Sequence, residues 1–165
     1  PCKELFVKQR TIYQSSERIL RMSNRKSGIL LHITSLPGKE GIGTLGENAF
    51  KFVDFLRETK QSLWQILPLG PVGAGNSPYQ CYSAFAGNPL LIDIEFLVEE
   101  RLLDEEVFKS FPRLSKSKVK FERIEKWKYP LLKLAFQTFR DTLFEKYREE
   151  FYRFLEEYWM NVSYF

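Results

Sequence analysis

The residues best suited to chemistry sit in one loop and at one strand end. Asn76, Ser77, Tyr79 and Gln80 follow one another around Pro78. Together they offer amide and hydroxyl hydrogen bonds, a phenolic O–H and one flat ring, while Pro78 fixes the backbone between them. Such a set serves either as a ligand platform or as an anchor for its own loop. His32 is the single histidine. A lone histidine at a strand end is most often a hydrogen-bonded core residue, and facing a ligand is the sharper alternative. Two carboxylate pairs have spacings that put them on one side of an element: Asp54 with Glu58 on a helix, and Asp93 with Glu95 on a strand. Arg57 and Lys60 lie close enough to Asp54 and Glu58 to make that pair a solvated charge cluster. Nothing near Asp93 and Glu95 supplies the raised pKa that a general acid needs. Cys2 and Cys81 are not spaced as a zinc pair or a redox CxxC. With one histidine, no structural metal site is expected.

The elements that would position these residues follow from apolar periodicity. Gly28 to Ile33 is an almost continuous apolar run and predicts a strand buried on both faces, as in a parallel sheet. Thr44 and Glu47 have capping-box spacing, and Ala49, Phe52, Val53 and Leu56 recur at i, i+3, i+4, i+7, which predicts a helix with one buried face. Leu63 to Leu69 predicts a second strand. Strand, helix and strand in so short a stretch make a βαβ unit with a parallel sheet. Asn88 to Glu95 reads as a further short strand, and the pattern is helical from Leu97 onward. Pro130 is expected in the first turn of a new helix. Leu132, Phe136, Phe139, Leu143, Tyr147, Phe151, Phe154 and Tyr158 then form an aromatic packing stripe on one long helix or two shorter ones.

Composition excludes several classes. With 44% hydrophobic and 16% aromatic residues among 165, the chain can build a core. The net charge of +4 arises from 25 cations among 21 anions. The densest basic stretch, Lys116, Lys118, Lys120, Arg123, Lys126 and Lys128, is interrupted by Glu122 and Glu125 and reads as a solvated helix face, so no nucleic-acid partner is expected. No apolar run reaches the about 18 residues that span a bilayer. A cytoplasmic protein with no membrane partner is expected. Residues 1–21 read as an extension or translated leader with Met22 as the natural start, 22–96 as the βαβ unit with its binding loop, and 97–165 as a helical insertion.

Three segments carry a family resemblance. Ser27 to Gly43 (SGILLHITSLPGKEGIG), Trp64 to Pro71 (WQILPLGP) and Gly75 to Leu91 (GNSPYQCYSAFAGNPLL) occur in the order found in the amylomaltase, or disproportionating-enzyme, family of 4-α-glucanotransferases. The chain resembles the N-terminal part of such an enzyme over about residues 25–103. The resemblance implies an α/β fold: the opening of a (β/α)₈ barrel, interrupted by helical subdomains and incomplete here, since a full barrel takes about 250 residues. It implies transfer of α-1,4-glucan segments between maltooligosaccharides with retention, with no cofactor. It places Tyr79 beside the transferred sugar; Ser77, Asn76 and Gln80 offer hydrogen bonds around that ring, and His32 stands at a strand-end position that can face the substrate in a barrel. Sugar rings have apolar faces and hydroxyl edges, which suits this set.

Some positions depart from the pattern. Ile33 stands for Pro, Lys39-Glu40 for Pro-Tyr, Asn76 for a frequent Asp, and Cys81 for a small polar residue. These are expected to be neutral or surface-loop changes. Trp159 to Phe165 is faintly similar to a family segment but lacks its two acidic residues, as a shifted reading frame would produce. Retaining transfer needs two carboxyl groups about 5–5.5 Å apart. The resemblance puts these on later strands, so the chain is expected to be catalytically silent alone. A related α-glucan hydrolase and a non-catalytic glucan-binding module are the alternatives.

Overall fold

The computed structural model describes residues 25–73, 75–83, 86–115 and 118–162, with side chains through Glu157. The leader, the Met22 start, Cys2, Lys116 and the Trp159–Phe165 side chains lie outside the described residues.

The βαβ unit forms as the periodicity predicts. Strand β1 (Gly28–Leu30) pairs in parallel with β2 (Leu63–Gln65), Ile29 opposite Trp64, and helix α1 (Glu47–Glu58) connects them. Both strands are shorter than their apolar runs. The expectation that β1 is buried on both faces is not met: Leu30 is 57% exposed, and Leu63 of β2 is likewise 50% exposed. Alternation along the strands explains this, because α1 covers only the side that carries Ile29 and Trp64. Phe52 of α1 meets Trp64 edge-on at 4.8 Å between ring centroids, a contact worth about 0.5–1.5 kcal/mol beyond its burial. The Trp64 indole N–H donates to the Leu31 carbonyl at 2.7 Å. Within α1, Ala49 and Leu56 are buried, whereas Val53 is half-exposed.

The predicted capping box does not form. The helix begins two residues later than Thr44 would require, with Gly46 at the N-cap and no side-chain cap. Thr44 is instead buried and donates its hydroxyl to Asp93 at 2.5 Å. Chain entry into α1 is fixed by the Leu45 N–H donating to the Leu91 carbonyl at 2.8 Å.

Asn88 to Glu95 is not a strand. Pro89 starts a 3₁₀ turn over Pro89–Leu91, with the Asn88 side chain accepting the Leu90 N–H at 3.0 Å. Asp93 then caps a short helix, α2 (Ile94–Glu99), by accepting the Glu95 and Phe96 N–H groups at 2.9 and 3.3 Å. Two residues that bond readily to nearby backbone donors outcompete the extended conformation that the alternating pattern suggests. Asp93 and Glu95 therefore do not share a strand face, and Glu95 pairs with Lys39.

Helix α3 (Phe121–Thr142) runs straight through Pro130, so that proline is not in a first turn. The missing N–H and the crowded Lys126 carbonyl would normally break a helix. Here buried Ile124 and Lys128 before it, and Ala135 after it, hold both halves against the rest of the molecule. The aromatic stripe divides at Leu143 into α3 and α4 (Phe144–Val162). Phe139 and Phe151 of the stripe meet Phe144 edge to face, while Phe136 and Phe154 stay more than half-exposed.

Among the described residues the core is three clusters. Ile33, Leu36, Ala49 and Leu91 lie under the βαβ unit. Ile42, Leu90 and Ile124 join the loop after β1 to α3. Ile94, Leu103 and Ala135 join α2 to the middle of α3.

Candidate functional site

Because β1 and β2 are parallel, the segments that follow them emerge at the same edge of the sheet. A cavity of about 200 Å³ lies there, lined by His32, Thr34 and Ser35 after β1 and by Leu67 to Gly70 and Val72 after β2. Ligands of parallel α/β sheets bind at this end because the loops there converge. Asn76, Pro78, Asn88, Leu91 and Phe121 complete the wall.

The loop carrying the predicted residues is held by its own backbone. Val72 and Cys81 form an antiparallel bridge, and the Gly73 and Tyr82 N–H groups donate to the carbonyls of Gln80 and Pro71 at 3.1 Å each. The turn is completed by Gly75 and Asn76, both at positive φ, a conformation that glycine adopts freely and asparagine tolerates. The Asn88 N–H donates to the Leu69 carbonyl at 2.8 Å and ties the far end of the loop to the segment after β2. Cys81 is a half-buried free thiol that donates to the Pro78 carbonyl at 2.8 Å, a packing role.

The structure brings His32 and Asn76 together in the cavity wall. Ser77 is half-buried beside Asn76, and its carbonyl accepts the Gln80 N–H at 2.9 Å. Tyr79 and Gln80 stand outside the lining, with Tyr79 75% exposed. Its ring is thus open to solvent. Sequence reasoning missed Asn88 and Phe121. An Asn-Pro pair directly after the loop signals the first; the second comes from a helix far along the chain and has no local signal.

His32 is not the hydrogen-bonded core residue that is commonest at a strand end. Its Nδ1 is buried with no partner among the described residues. Burial lowers its pKa from the ordinary histidine value. The folded state therefore binds fewer protons than the unfolded chain as pH falls through about 6.5 and then through the lowered folded value, and stability is lost over that interval. His32→Phe should flatten this acid-side slope in urea unfolding measured between about pH 5 and pH 7; an unchanged slope would assign the titration elsewhere.

Behind the cavity lies a polar cluster that the expectations from sequence do not include. Glu40, expected to be a surface-loop residue, is 4% exposed, and Lys128, expected on a solvated face, is fully buried. Their side chains pair at 2.5 Å. Lys128 also donates to the Leu90 carbonyl at 2.8 Å, and the second Glu40 oxygen accepts the Ile94 N–H at 2.8 Å. Burial pushes the Glu40 carboxyl up and the Lys128 ammonium down, each opposed by the charge of the other. Three directed contacts favour the charged pair. Asp54 pairs with Arg57 at 3.1 Å on the exposed face of α1.

No carboxylate belongs to the cavity lining among the described residues. Those residues also hold no cluster of three His, Cys, Asp or Glu that could take a metal, and no helix long and apolar enough to cross a membrane.

With this geometry in hand, comparison with known proteins is specific. A family model described as 4-alpha-glucanotransferase matches residues 31–164. A 4-alpha-glucanotransferase of Synechocystis sp. is 47% identical over 135 residues, 82% of this chain and 27% of that protein. The enzyme of the same name from Thermus thermophilus is 45% identical over 141 residues, again 82% of this chain and 27% of that protein. Among solved structures, an amylomaltase from Streptococcus agalactiae in complex with acarbose matches with a TM-score of 0.76 and 41% identity, over 81% of this chain and 27% of that one. The chain thus spans about a quarter of the length of these relatives.

Proposed function

The chain belongs to the 4-alpha-glucanotransferase family, and we propose that its cavity and the exposed Tyr79 ring form part of an α-1,4-glucan site. The observation that carries the reading is a cavity at the C-terminal ends of two parallel strands, with the buried, unpartnered Nδ1 of His32 in its wall. An unpaired buried nitrogen is costly, and a sugar hydroxyl would relieve it. Asn76 and Asn88 supply neutral hydrogen bonds, Leu69, Val72 and Phe121 the apolar contact that a pyranose face needs, and Tyr79 a stacking surface at the rim. Ser77 and Gln80 extend the polar edge.

On this reading the βαβ unit is the opening of a (β/α)₈ barrel, and the helices after α2 are a subdomain inserted into it. A protein of family length would transfer α-1,4-glucan segments between maltooligosaccharides. The 165-residue chain would bind such sugars without turning them over, because the two carboxyl groups required for retaining transfer are not among its cavity residues. A cytoplasmic setting accords with the free Cys81 thiol.

Calorimetric titration of the chain with maltoheptaose tests the binding. Saturable binding is expected, weakened about fivefold by Tyr79→Ala, the loss of roughly 1 kcal/mol of ring contact. Heat that stays at the dilution level would remove the assignment. Incubation with maltotriose should leave the substrate intact. Longer and shorter products would instead reveal transfer by this chain itself, and rising reducing ends alone would mark a hydrolase.

A further inference from the structure

We infer that the buried Glu40–Lys128 pair is a positioning device for the cavity, holding α3 where Phe121 closes the wall and so setting the room beside Asn88 and Leu91. This rests on the reading that the cavity takes a sugar ring.

The argument begins with α3. Phe121, Ile124 and Lys128 fall at i, i+3 and i+7, one stripe of the helix, so a slide or rotation that moves Lys128 also moves Phe121. Phe121 lines the cavity, Ile124 packs with Ile42 and Leu90, and Lys128 is the stripe's buried polar end. The ammonium reaches two further elements: the loop after β1, through Glu40, and the 3₁₀ turn Pro89–Leu91, through the Leu90 carbonyl. Asn88 and Leu91, on either side of Leu90, are themselves cavity residues. One side chain therefore ties together three segments that meet at the site.

The pair is suited to setting position as well as adhesion. Apolar contacts such as Ile124 on Ile42 are non-directional and tolerate small slides. A buried ammonium with two fixed acceptors does not, because sliding leaves a charge unpaired in a dry place. Glu40 is itself fixed by the Ile94 N–H, and Asp93, held by Thr44, adds a second negative charge facing Lys128. The other cations early in α3, Arg123 and Lys126, are exposed and take no part.

The test uses methyl NMR of the whole chain labelled at Leu and Val. Phe121→Ala first identifies which methyls of Leu69, Val72 and Leu91 sense the Phe121 ring. Glu40→Gln, which keeps an acceptor for Ile94 but loses the charge that holds Lys128, and the double variant Glu40→Gln/Lys128→Met should then shift those same methyls. Acarbose titration of the same samples should show affinity falling about tenfold, as small displacements of a binding wall produce. Unmoved reporter methyls in both variants would overturn the proposal. So would loss of folding in both, which would make the pair a general stabiliser. If the unmodified chain fails to bind acarbose, the sugar reading fails, while the methyl shifts still decide whether the pair positions Phe121.

Discussion

Lys128→Met is expected to destabilise the chain by about 3–5 kcal/mol, the range for removing one partner of a buried ion pair. The cost comes from what is left behind. Glu40 is 4% exposed and would keep its negative charge with only the Ile94 N–H as donor, while the Leu90 carbonyl loses its partner. Methionine replaces much of the lysine stem, so packing loss is the smaller part. For a chain of this length the melting temperature should fall by roughly 10 °C. The deficit should depend on pH. Burial already raises the Glu40 pKa above its ordinary value, and losing Lys128 removes the main opposing influence. A folded pKa above the unfolded one means that the folded state binds the extra proton, so the variant loses stability as pH rises above about 4.3. It should therefore compare better with the parent near about pH 5 than near about pH 8. Adding Glu40→Gln should recover most of the loss, leaving about 1–2 kcal/mol for the unsatisfied Leu90 carbonyl. Urea unfolding of the four proteins in the cycle measures the coupling. A single variant within 1 kcal/mol of the parent would mean that the pair is solvated, contrary to its geometry.

That pair marks the limit of what the sequence discloses. Its two members are 88 positions apart, and each has a misleading local context. Glu40 sits in a loop rich in glycine, and Lys128 closes a run of cations. The one available signal is that Lys128 shares a stripe with Phe121 and Ile124, an apolar face on which a lysine is out of place. The βαβ unit was legible because its cause is local: two short apolar runs around a helix with one buried face. The helix start was misread because Thr44 and Glu47 match a capping box in spacing, while Thr44 is claimed by Asp93 from a distant segment. The turn at Asn88 and the cap at Asp93 were misread for the opposite reason. Alternating Leu, Ile and acidic residues looked like a strand, yet both polar residues bond to backbone donors within three positions.

The site was legible in part on similar grounds. Gly75 to Gln80 announces a shaped loop, and its backbone bridges deliver Asn76 to the cavity. His32 reaches the same wall because it lies two residues past the end of β1. Tyr79 is exposed and outside the cavity lining. The apolar wall was invisible, since Leu67, Leu69 and Phe121 converge only once the parallel pair and α3 are in place.

A second large effect is expected at Gly43, where the argument is steric. A Cβ built there would lie 1.9 Å from the Ile33 carbonyl oxygen and 2.8 Å from the Leu36 nitrogen. Both are backbone atoms of the tight turn after β1, so no side chain can rotate away. That turn is closed by the Leu36 N–H donating to the Ile33 carbonyl at 3.0 Å and by the Gly43 N–H donating to the Thr34 carbonyl at 3.1 Å. Gly43→Ala must therefore push apart the two strands of chain that these bonds join. Overpacking usually costs about 1–3 kcal/mol, and the rigid backbone puts this case at about 3 kcal/mol or above. Thr34 and Ser35 lie inside the strained turn and line the cavity, so the displacement reaches the site as well as the core. Gly87, where an added Cβ meets nothing within 4 Å, provides the control. Gly87→Ala should leave the melting temperature within about 2 °C of the parent, whereas Gly43→Ala should lower it by roughly 6–12 °C. Equal melting temperatures for the two variants would show that the turn after β1 is not packed against its own backbone, and would remove the basis for placing Thr34 and Ser35 in the wall.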